Sequence, residues 1–183
     1  YNEKQKGEGW TEWELVKYAT PRFEGHWQPR IPLWGYLDEA DPEVMERKIT
    51  VASEHGIDFF IFDWYFYDGH EFLNRCLDEG YFGAENNEEM PFCLMWANHD
   101  WMTYFPVKVN QRMDQIWEGG LDMAQFEAMT DIIVEKYFSH PNYYTVDGKP
   151  YFSIFLTQQF IDGFESMEQA VHAIRVFREK TKK

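Results

Sequence analysis

The chain has few cysteines, few basic residues and no long apolar run, and each of these shortages argues against particular kinds of site or partner. Two of its 183 residues are cysteines, Cys76 and Cys93. Two isolated cysteines make neither a disulfide framework nor a zinc motif, so cytoplasmic and periplasmic or extracellular locations both stay open. There are 17 Lys and Arg against 32 Asp and Glu, a net charge of −15. Nucleic acids and anionic membranes attract basic surfaces, so we expect neither as a partner.

Membrane spans, phosphate loops and metal motifs are also missing from the sequence. The apolar runs, such as Phe59 to Phe62 and Phe92 to Ala97, are far shorter than the roughly 20 residues that cross a bilayer. The sequence has no glycine-rich phosphate loop, no serine nucleophile elbow and no paired His or Cys residues at metal-binding spacing. We therefore expect no cofactor and no metal, and nucleotide binding and ester hydrolysis are disfavoured.

What the chain has in excess is aromatic side chains, which make up 19% of its residues. Two apolar runs, 57–63 and 92–97, pass directly into polar groups set among aromatic rings. The residues at these two ends are Asp63, Trp64, Tyr65, Asn98, His99, Asp100 and Trp101. Parallel α/β barrels carry their sites at the C-terminal ends of the strands, and Trp and Tyr rings stack on sugars or fill a core. The pattern favours carbohydrate binding by these side chains.

Apolar strands alternate with amphipathic helices along the chain. Asp41 and Pro42 are typical of a helix start, the first as N-cap and the second at the first helical position. The predicted elements after this helix are a strand at 57–63 buried on both faces, a helix at about 70–79, a strand at 92–97, a helix at about 121–138, a strand at 151–155 and a helix at about 165–180. Such alternation predicts an α/β fold with a parallel sheet.

The number of strands bears on domain organisation. Three strands are predicted, whereas a closed (β/α)8 TIM barrel needs eight. We therefore expect residues 1–183 to be a single partial domain, the N-terminal half of such a barrel. Its open sheet edges would need the remainder of the barrel or another copy of the chain for stability. Residues 1–40, rich in Trp and Pro, are expected to form an irregular segment over the binding face.

Two carboxylates are candidates for catalysis. Asp63 and Asp100 end consecutive strands, and neighbouring strands bring such carboxylates into the roughly 5 to 9.5 Å range of glycosidase pairs. Hydrogen bonding to a sugar and capping of the following loop are the alternatives for both residues. Two histidines complete the candidate set. His99 beside Asp100 is a base, a metal ligand or an orienting group, with metal disfavoured. His26 lies in a loop that either covers the site or simply packs.

The motifs taken together resemble a known family. They are Trp34 to Asp38, Asp63 to Tyr65, Trp96 to Trp101, His140 to Tyr143 and Gly148 to Pro150. They resemble WbsX-like proteins, often labelled lipopolysaccharide or O-antigen glycosyltransferases and related to the endo-α-mannosidases of glycoside hydrolase family 99. The resemblance covers nearly the whole chain and implies a (β/α)8 barrel acting on a bacterial polysaccharide or mannose-type glycan.

The resemblance also implies roles for individual residues. Trp64 matches a strand-end Trp that lines the sugar site of the hydrolases. The catalytic residues of those hydrolases are two glutamates late in the barrel, in a stretch that this sequence does not contain, so the acid and base are expected outside residues 1–183. Three functions remain open: a glycoside hydrolase, a glycosyltransferase of lipopolysaccharide or O-antigen synthesis, and a non-catalytic carbohydrate-binding barrel.

Overall fold

The structure, a computed structural model, describes residues 6–103, 110 and 112–182, and the chain divides into two compact units. The first unit is Tyr1–Asp38 with Thr103–Asp114, and the second is Glu39–Met102 with Gln115–Lys183. In the first unit, helix α1 (Trp13–Lys17) interrupts the segment that the sequence predicts to be irregular. The indole N–H of Trp13 donates to the Leu37 carbonyl at 2.9 Å and anchors α1.

Helix α2 (Pro42–Glu54) begins where the sequence predicts a helix start. The Asp41 carboxylate accepts a hydrogen bond from the Glu43 amide at 3.0 Å, which satisfies one of the free N–H groups of the first turn. The helix ends before Gly56, whose φ of +81° is readily adopted by glycine. Met45 and Ile49 are buried on its inner face.

The second unit is built on a four-stranded sheet in the order β2-β1-β3-β8. Strands β1 (Phe60–Tyr67), β3 (Phe92–Trp96) and β8 (Phe152–Ile154) are parallel, and β2 (His70–Phe72) runs antiparallel to the C-terminal part of β1. The predicted α/β class and parallel strands are confirmed. The barrel stays a prediction, because the described residues form an open sheet and no closed barrel.

The predicted helix at 70–79 is wrong in its first half. Asp68 and Gly69 both have positive φ, 51° and 78°, and they form a two-residue turn that pairs Tyr67 with His70. Asp-Gly strongly favours such a turn, because glycine reaches this region without strain and aspartate tolerates it. The chain therefore folds back as a hairpin, and the helical part is a π-helix, π1 (Cys76–Tyr81).

The two faces of the sheet have different surroundings, which corrects the prediction that the first strand is buried on both faces. The register places Phe62 beside Leu94, with Trp64 beside Trp96, on a face covered by helices. We call the opposite face the open face. Ile61 on that face is 52% exposed, and burial along β1 alternates until Trp64. Helices thus cover one face of a sheet whose parallel type is ordinarily covered on both.

The predicted helix at 121–138 consists of α3 (Met123–Ile132) and a second π-helix, π2 (Ile133–Phe138). The helix begins with a capping box. The Asp122 carboxylate accepts a hydrogen bond from the Gln125 amide at 2.8 Å, and the Gln125 side-chain oxygen accepts one from the Asp122 amide at 3.0 Å. Its buried apolar residues include Phe126, Met129, Ile133 and Tyr137.

The remaining elements are short. Strands β4 (Trp101–Met102) and β5 (Gln115–Trp117) pair in the stretch between the predicted strand at 92–97 and the predicted helix at about 121–138. Strand β6 (Thr145–Val146) pairs with β7 (Lys149–Pro150) around a turn at Asp147 and Gly148. Two helices, α4 (Thr157–Asp162) and α5 (Met167–Lys180), form the C-terminal part. No helix in the described ranges is long and apolar enough to cross a membrane.

Candidate functional site

Asp63 and Tyr65 lie on the open face at the C-terminal half of β1. Alternate residues of a strand share a face and are roughly 6.6 Å apart, so the carboxylate and the phenol are neighbours. The register sets Met95 of β3 beside Asp63, and Ser153 of β8 beside Met95. Asp63 is exposed, while Tyr65 is half-buried. Of the predicted site residues, these two lie on an accessible surface of the sheet.

Asn98 fixes the loop after β3 rather than facing solvent. The residue is 1% exposed, its side-chain N–H donates to the Leu156 carbonyl at 2.8 Å, and its oxygen accepts from the Leu156 amide at 2.7 Å. Both polar atoms are therefore engaged with the chain that follows β8. This arrangement ties the ends of β3 and β8 together, and contact between Asn98 and a sugar stays a prediction.

The structure orients the His99 ring through one hydrogen bond. Nδ1 lies 2.9 Å from the carbonyl oxygen of Asp100. A carbonyl only accepts, so Nδ1 carries the proton and Nε2 of the neutral ring keeps its lone pair. The backbone of His99 is fixed as well, because the Tyr67 hydroxyl donates to its carbonyl at 2.8 Å. In its neutral form the half-buried ring therefore has Nε2 as a hydrogen-bond acceptor.

Asp100 caps the loop that follows it, which is the structural alternative that the sequence left open. Its Oδ1 accepts from the Gly119 amide at 2.9 Å and from the Gln159 side chain at 3.0 Å. Gly119 also packs so closely that a Cβ there would lie 2.4 Å from the carbonyl carbon of His99. Two donors on one oxygen favour a carboxylate that holds the loop, and a catalytic pair with Asp63 stays a prediction.

A cluster of aromatic rings, which we call the aromatic cluster, lies beside His99. It contains Tyr65, Tyr67, Phe72, Trp101 and Trp117. Tyr65 meets the His99 ring edge-on at 5.8 Å, and the His99 ring stacks on Trp101 at 6.0 Å. Phe72 lies 5.0 Å from Trp101 and 5.2 Å from Trp117. Trp101, at 7% exposed, supports these rings from behind, whereas Tyr65 and Trp117 are half-buried.

Three members of the aromatic cluster were missed by reasoning from the sequence. Phe72 falls within the helix predicted at about 70–79, Trp117 lies between predicted elements, and Tyr67 follows the strand predicted at 57–63. The Asp68-Gly69 turn is the signal that was available, because it brings β2 and Phe72 back along β1. No local signal pairs Trp117 with Trp101, since 16 residues separate them in sequence and a bulged ladder joins them.

Trp64 lies on the helix-covered face, contrary to the exposed position expected for a sugar platform. It is 2% exposed, and its ring stacks on Phe66 at 5.8 Å. The indole N–H lies 3.2 Å from the Tyr137 hydroxyl and 3.3 Å from a Glu71 oxygen. These contacts fit the packing alternative, and a binding role for Trp64 stays a prediction.

The carboxylates around Tyr137 form an ionic group that we call the Glu71 cluster: Glu71, Asp78, Lys136 and Tyr137. Lys136 Nζ lies 3.0 Å from Glu71 and 2.6 Å from Asp78. The Tyr137 hydroxyl contacts both carboxylates. Burial and the bond to Glu71 raise the pKa of Tyr137 well above its usual range. Burial lowers the pKa of Lys136, but hydrogen bonds to the two carboxylates outweigh it, and the pKa is raised overall.

His26 belongs to the first unit. Its ring stacks on Phe23 at 4.6 Å, and Nδ1 accepts from the Arg22 amide at 3.2 Å. These contacts match the packed-loop alternative, and its part in a binding site stays a prediction. Within the described residues, no group of three or more His, Cys, Asp or Glu side chains is arranged to hold a metal ion.

Comparison with known proteins identifies relatives of the chain. Residues 1–182 match the family described as Glycosyltransferase WbsX. The chain is also 33% identical over 151 residues to proteins named "Uncharacterized protein WxcX" from two strains of Xanthomonas campestris pv. campestris. That match covers 81% of this chain but 21% of each relative. No solved structure matches this chain. With a family match over almost every residue, the chain belongs to the Glycosyltransferase WbsX family.

Proposed function

We propose that this chain forms the glycan-binding part of a carbohydrate-active bacterial protein, with the sugar held on the open face. The observation that carries the proposal is that Asp63 and Tyr65 share the open face of β1 and that the His99 ring, from the loop after β3, lies 5.8 Å from the Tyr65 ring. A carboxylate, a phenol and an imidazole acceptor beside the aromatic cluster match the chemistry of a pyranose, whose hydroxyls donate and whose C–H faces stack on rings.

Each of the three groups has a definite role in this proposal. Asp63 accepts hydrogen bonds from two sugar hydroxyls, and His99 accepts one through Nε2. Tyr65 provides an aromatic surface that the rings of His99 and Trp101 hold in place. In this proposal Asn98 and Asp100 set the loop that carries His99.

Hydrolysis is the reaction that the charge of the site supports best. The stretches 57–69, 92–103 and 115–121, which supply the ends of β1 and β3 and the region of β5, contain Asp and Glu but no Lys or Arg. A nucleotide-sugar donor carries a pyrophosphate, which is ordinarily held by cations or a glycine-rich loop. We propose a glycoside hydrolase-like (β/α)8 barrel whose acid and base are carboxylates outside residues 1–183, as the resemblance implies.

Transfer from an activated sugar is the second candidate, because the family's description names a glycosyltransferase. The two reactions differ in their donors. The intact protein is expected to cleave yeast α-mannan or a purified bacterial O-antigen polysaccharide without added nucleotide. Calorimetric binding of GDP-mannose, together with polysaccharide extension and no cleavage, would favour the transferase instead. Glycan affinity with neither reaction would favour a binding protein.

The site assignment is tested by one matched pair of substitutions in the intact protein. Asp63→Asn removes a carboxylate on the open face, whereas Asp58→Asn makes the same change before the N-terminal end of β1. We expect the first to weaken binding of the polysaccharide roughly tenfold or more, the loss of one charged hydrogen bond, and the second to leave binding unchanged. Equal affinities for the two variants would exclude Asp63 from the site.

A further inference from the structure

The first unit carries an exposed tryptophan that does not pack into the fold. Trp27 is 79% exposed, and among the described residues its side chain has no hydrogen bond and no ring contact. Trp64 and Trp96, by contrast, are 2% and 1% exposed in the core of the second unit. An indole left in water forgoes the favourable free energy of burying its large apolar surface. Trp27 is therefore available to a ligand.

Two exposed arginines, Arg22 and Arg30, flank Trp27 in the sequence. Neither forms an ion pair with any residue that the structure describes. With these two arginines and one glutamate, Glu24, the stretch 22–30 has a net charge of +1, whereas the whole chain carries −15. An unpaired guanidinium binds carboxylates and other anions readily. This stretch is thus a small cationic surface on an acidic chain.

Contacts within a turn keep Arg22 close to Trp27. The His26 amide donates to the Phe23 carbonyl at 3.1 Å, which closes a four-residue turn. The Arg22 amide donates to Nδ1 of His26 at 3.2 Å, and the Phe23 ring stacks on the His26 ring at 4.6 Å. The backbone of Arg22 therefore lies beside His26, the residue directly before Trp27.

The main chain on the other side of Trp27 is held as well. Arg30 follows Trp27 by three residues, so their Cα atoms lie within roughly 11 Å of each other. The Tyr36 hydroxyl donates to the Arg30 carbonyl at 3.3 Å, and the Tyr36 ring lies 5.3 Å from the ring of Trp13 in α1. These contacts fix the backbone of Arg30 to α1, while Arg30 itself stays exposed.

An exposed indole between two unpaired guanidinium groups fits the chemistry of an acidic sugar. The indole face stacks on the apolar C–H face of a pyranose, and a guanidinium binds a carboxylate through two parallel hydrogen bonds. A neutral sugar would leave both arginines without a partner, and a simple anion would leave the indole in water. A uronic acid provides a ring face and a carboxylate in one residue.

Other anionic partners are less suited to this surface. Segments that bind anionic membranes ordinarily contain clusters of roughly four to eight Lys and Arg, and binding to nucleic acids depends on the neutralisation of several phosphates. Arg22 and Arg30 supply two cations, and the net charge of −15 on the chain repels a dense polyanion. Two cations are enough for a single carboxylate in a chain of neutral sugars.

We propose that Arg22, Trp27 and Arg30 form a binding site for an acidic sugar within a polysaccharide whose other sugars are neutral. Trp27 stacks on the pyranose face, and the two guanidinium groups bind the carboxylate. The inference rests on the proposal that the protein acts on a glycan, and it adds a second site and the charge of the substrate. It does not depend on the site at Asp63.

Calorimetry on the intact protein tests the proposal with two matched probes. One is xylotriose carrying a single glucuronic acid, and the other is the same oligosaccharide after reduction of its carboxyl group to an alcohol. We expect the acidic form to bind roughly tenfold or more tightly than the reduced form, the difference made by a charged hydrogen-bonded pair. Equal affinities for the two forms would overturn the proposal.

Substitutions at exposed positions assign the difference to individual side chains. Arg22→Gln and Arg30→Gln are each expected to weaken binding of the acidic form roughly threefold to tenfold. Trp27→Ala is expected to weaken it as well, with Trp27→Phe restoring most of the loss. Arg175→Gln, at an exposed arginine of α5, is the matched control and is expected to change nothing. An effect of the arginine substitutions without one of Trp27→Ala would indicate unspecific attraction of anions and overturn the proposal.

Further probes separate this inference from the proposed function. If yeast α-mannan binds and Asp63→Asn weakens that binding, while the acidic oligosaccharide does not bind, the inference fails and the proposed function stands. If neither glycan binds, both fail. Tighter binding of oligothymidylate, or of phosphatidylglycerol vesicles, than of the acidic oligosaccharide would assign the surface to a nucleic acid or a membrane and overturn the inference.

Discussion

Glycine at position 119 lets two loops of the site approach each other. Its amide donates to the Asp100 carboxylate, and its Cα lies against the main chain of His99 and Asn98. A Cβ there would come within 2.6 Å of both carbonyl oxygens. Any side chain therefore forces the segment that carries His99 to move, so the absence of a side chain at this position determines where the imidazole sits.

Gly119→Ala is expected to destabilise the fold by about 1–3 kcal/mol, the usual range for overpacking a close contact. Gly120→Ala is the matched control, because a Cβ on Gly120 meets its nearest neighbours at 3.6–3.7 Å, an ordinary contact distance. Urea denaturation measures the stability of both variants, and near-UV circular dichroism reports on the packing of the tryptophans, which include Trp101 and Trp117. Equal stability of the two variants would mean that the loops adjust without cost.

At the scale of elements, the Glu71 cluster joins β2 to both π-helices. Glu71 comes from β2, Asp78 from π1, and Lys136 with Tyr137 from π2. Glu71 faces the helices, while the next residue, Phe72, projects to the other face of the hairpin and meets Trp101 and Trp117. The ionic contacts on one face thus set the position of the strand that contributes to the aromatic cluster on the other.

Lys136→Met is expected to destabilise the protein at neutral pH, because it leaves Glu71 and Asp78 facing each other without a cation. Lys136 is 35% exposed and solvent screens the pair, so about 1 kcal/mol is expected. The pKa of Lys136 is raised in the folded state, so this contribution is present below the ordinary lysine pKa and is lost as pH rises through the folded value. Lys136→Met should therefore lower the free energy of unfolding at pH 7 and leave it unchanged in strong alkali.

A double-mutant cycle with Glu71→Gln measures this coupling by urea denaturation. Lys182→Met is the control, since Lys182 pairs with Glu179 at an exposed helix end. A cycle in which the losses from Lys136→Met and Glu71→Gln simply add would mean that the two side chains do not stabilise each other. In that case the ion pair between Lys136 and Glu71 would not contribute to holding β2 against the helices.

Some of the helices and strands can be predicted from the sequence and others cannot. The helix start at Asp41 and Pro42 follows from a local pattern and is confirmed. The helix predicted at 70–79 failed because Phe72 and Leu73 repeat with Cys76 and Leu77 at helical spacing, and this pattern concealed a two-residue turn. Periodicity depends only on the spacing of apolar residues. A turn with two positive φ angles reverses the chain even where the residues after it are spaced as in a helix.

For the whole molecule, buried hydroxyl and thiol groups limit stability in alkali. Burial raises the pKa of Tyr81 to about 12 and that of Cys93 to about 11. Burial also places the pKa of Tyr137 and Tyr143 above their usual range. The folded state keeps these protons when the unfolded chain has lost them, so their contribution is full below the unfolded pKa values and declines above them.

The free energy of unfolding is accordingly expected to fall steadily from about pH 9 upward, where unfolded cysteine and then tyrosine ionise. His140 affects the free energy of unfolding at acid pH, because burial lowers its pKa and the folded state favours its neutral form. That contribution is present above the ordinary histidine pKa and is lost as pH falls below it. Urea denaturation from pH 5 to pH 11 measures both limbs. A flat profile above pH 9 would show that these groups ionise without opening the core.

The sequence by itself determined the class of this protein and most of its local structure. Charge, composition and strand-end residues pointed to a glycan rather than a nucleic acid, and periodicity indicated parallel strands between helices, because both depend on residue type and spacing alone. The tertiary structure decided which candidates are accessible. Asp63 and Tyr65 share the open face and the His99 ring lies against Tyr65, whereas Trp64 and Asn98 are buried. A strand sends alternate side chains to opposite faces, and only the packing of helices on one face shows which of those faces is open.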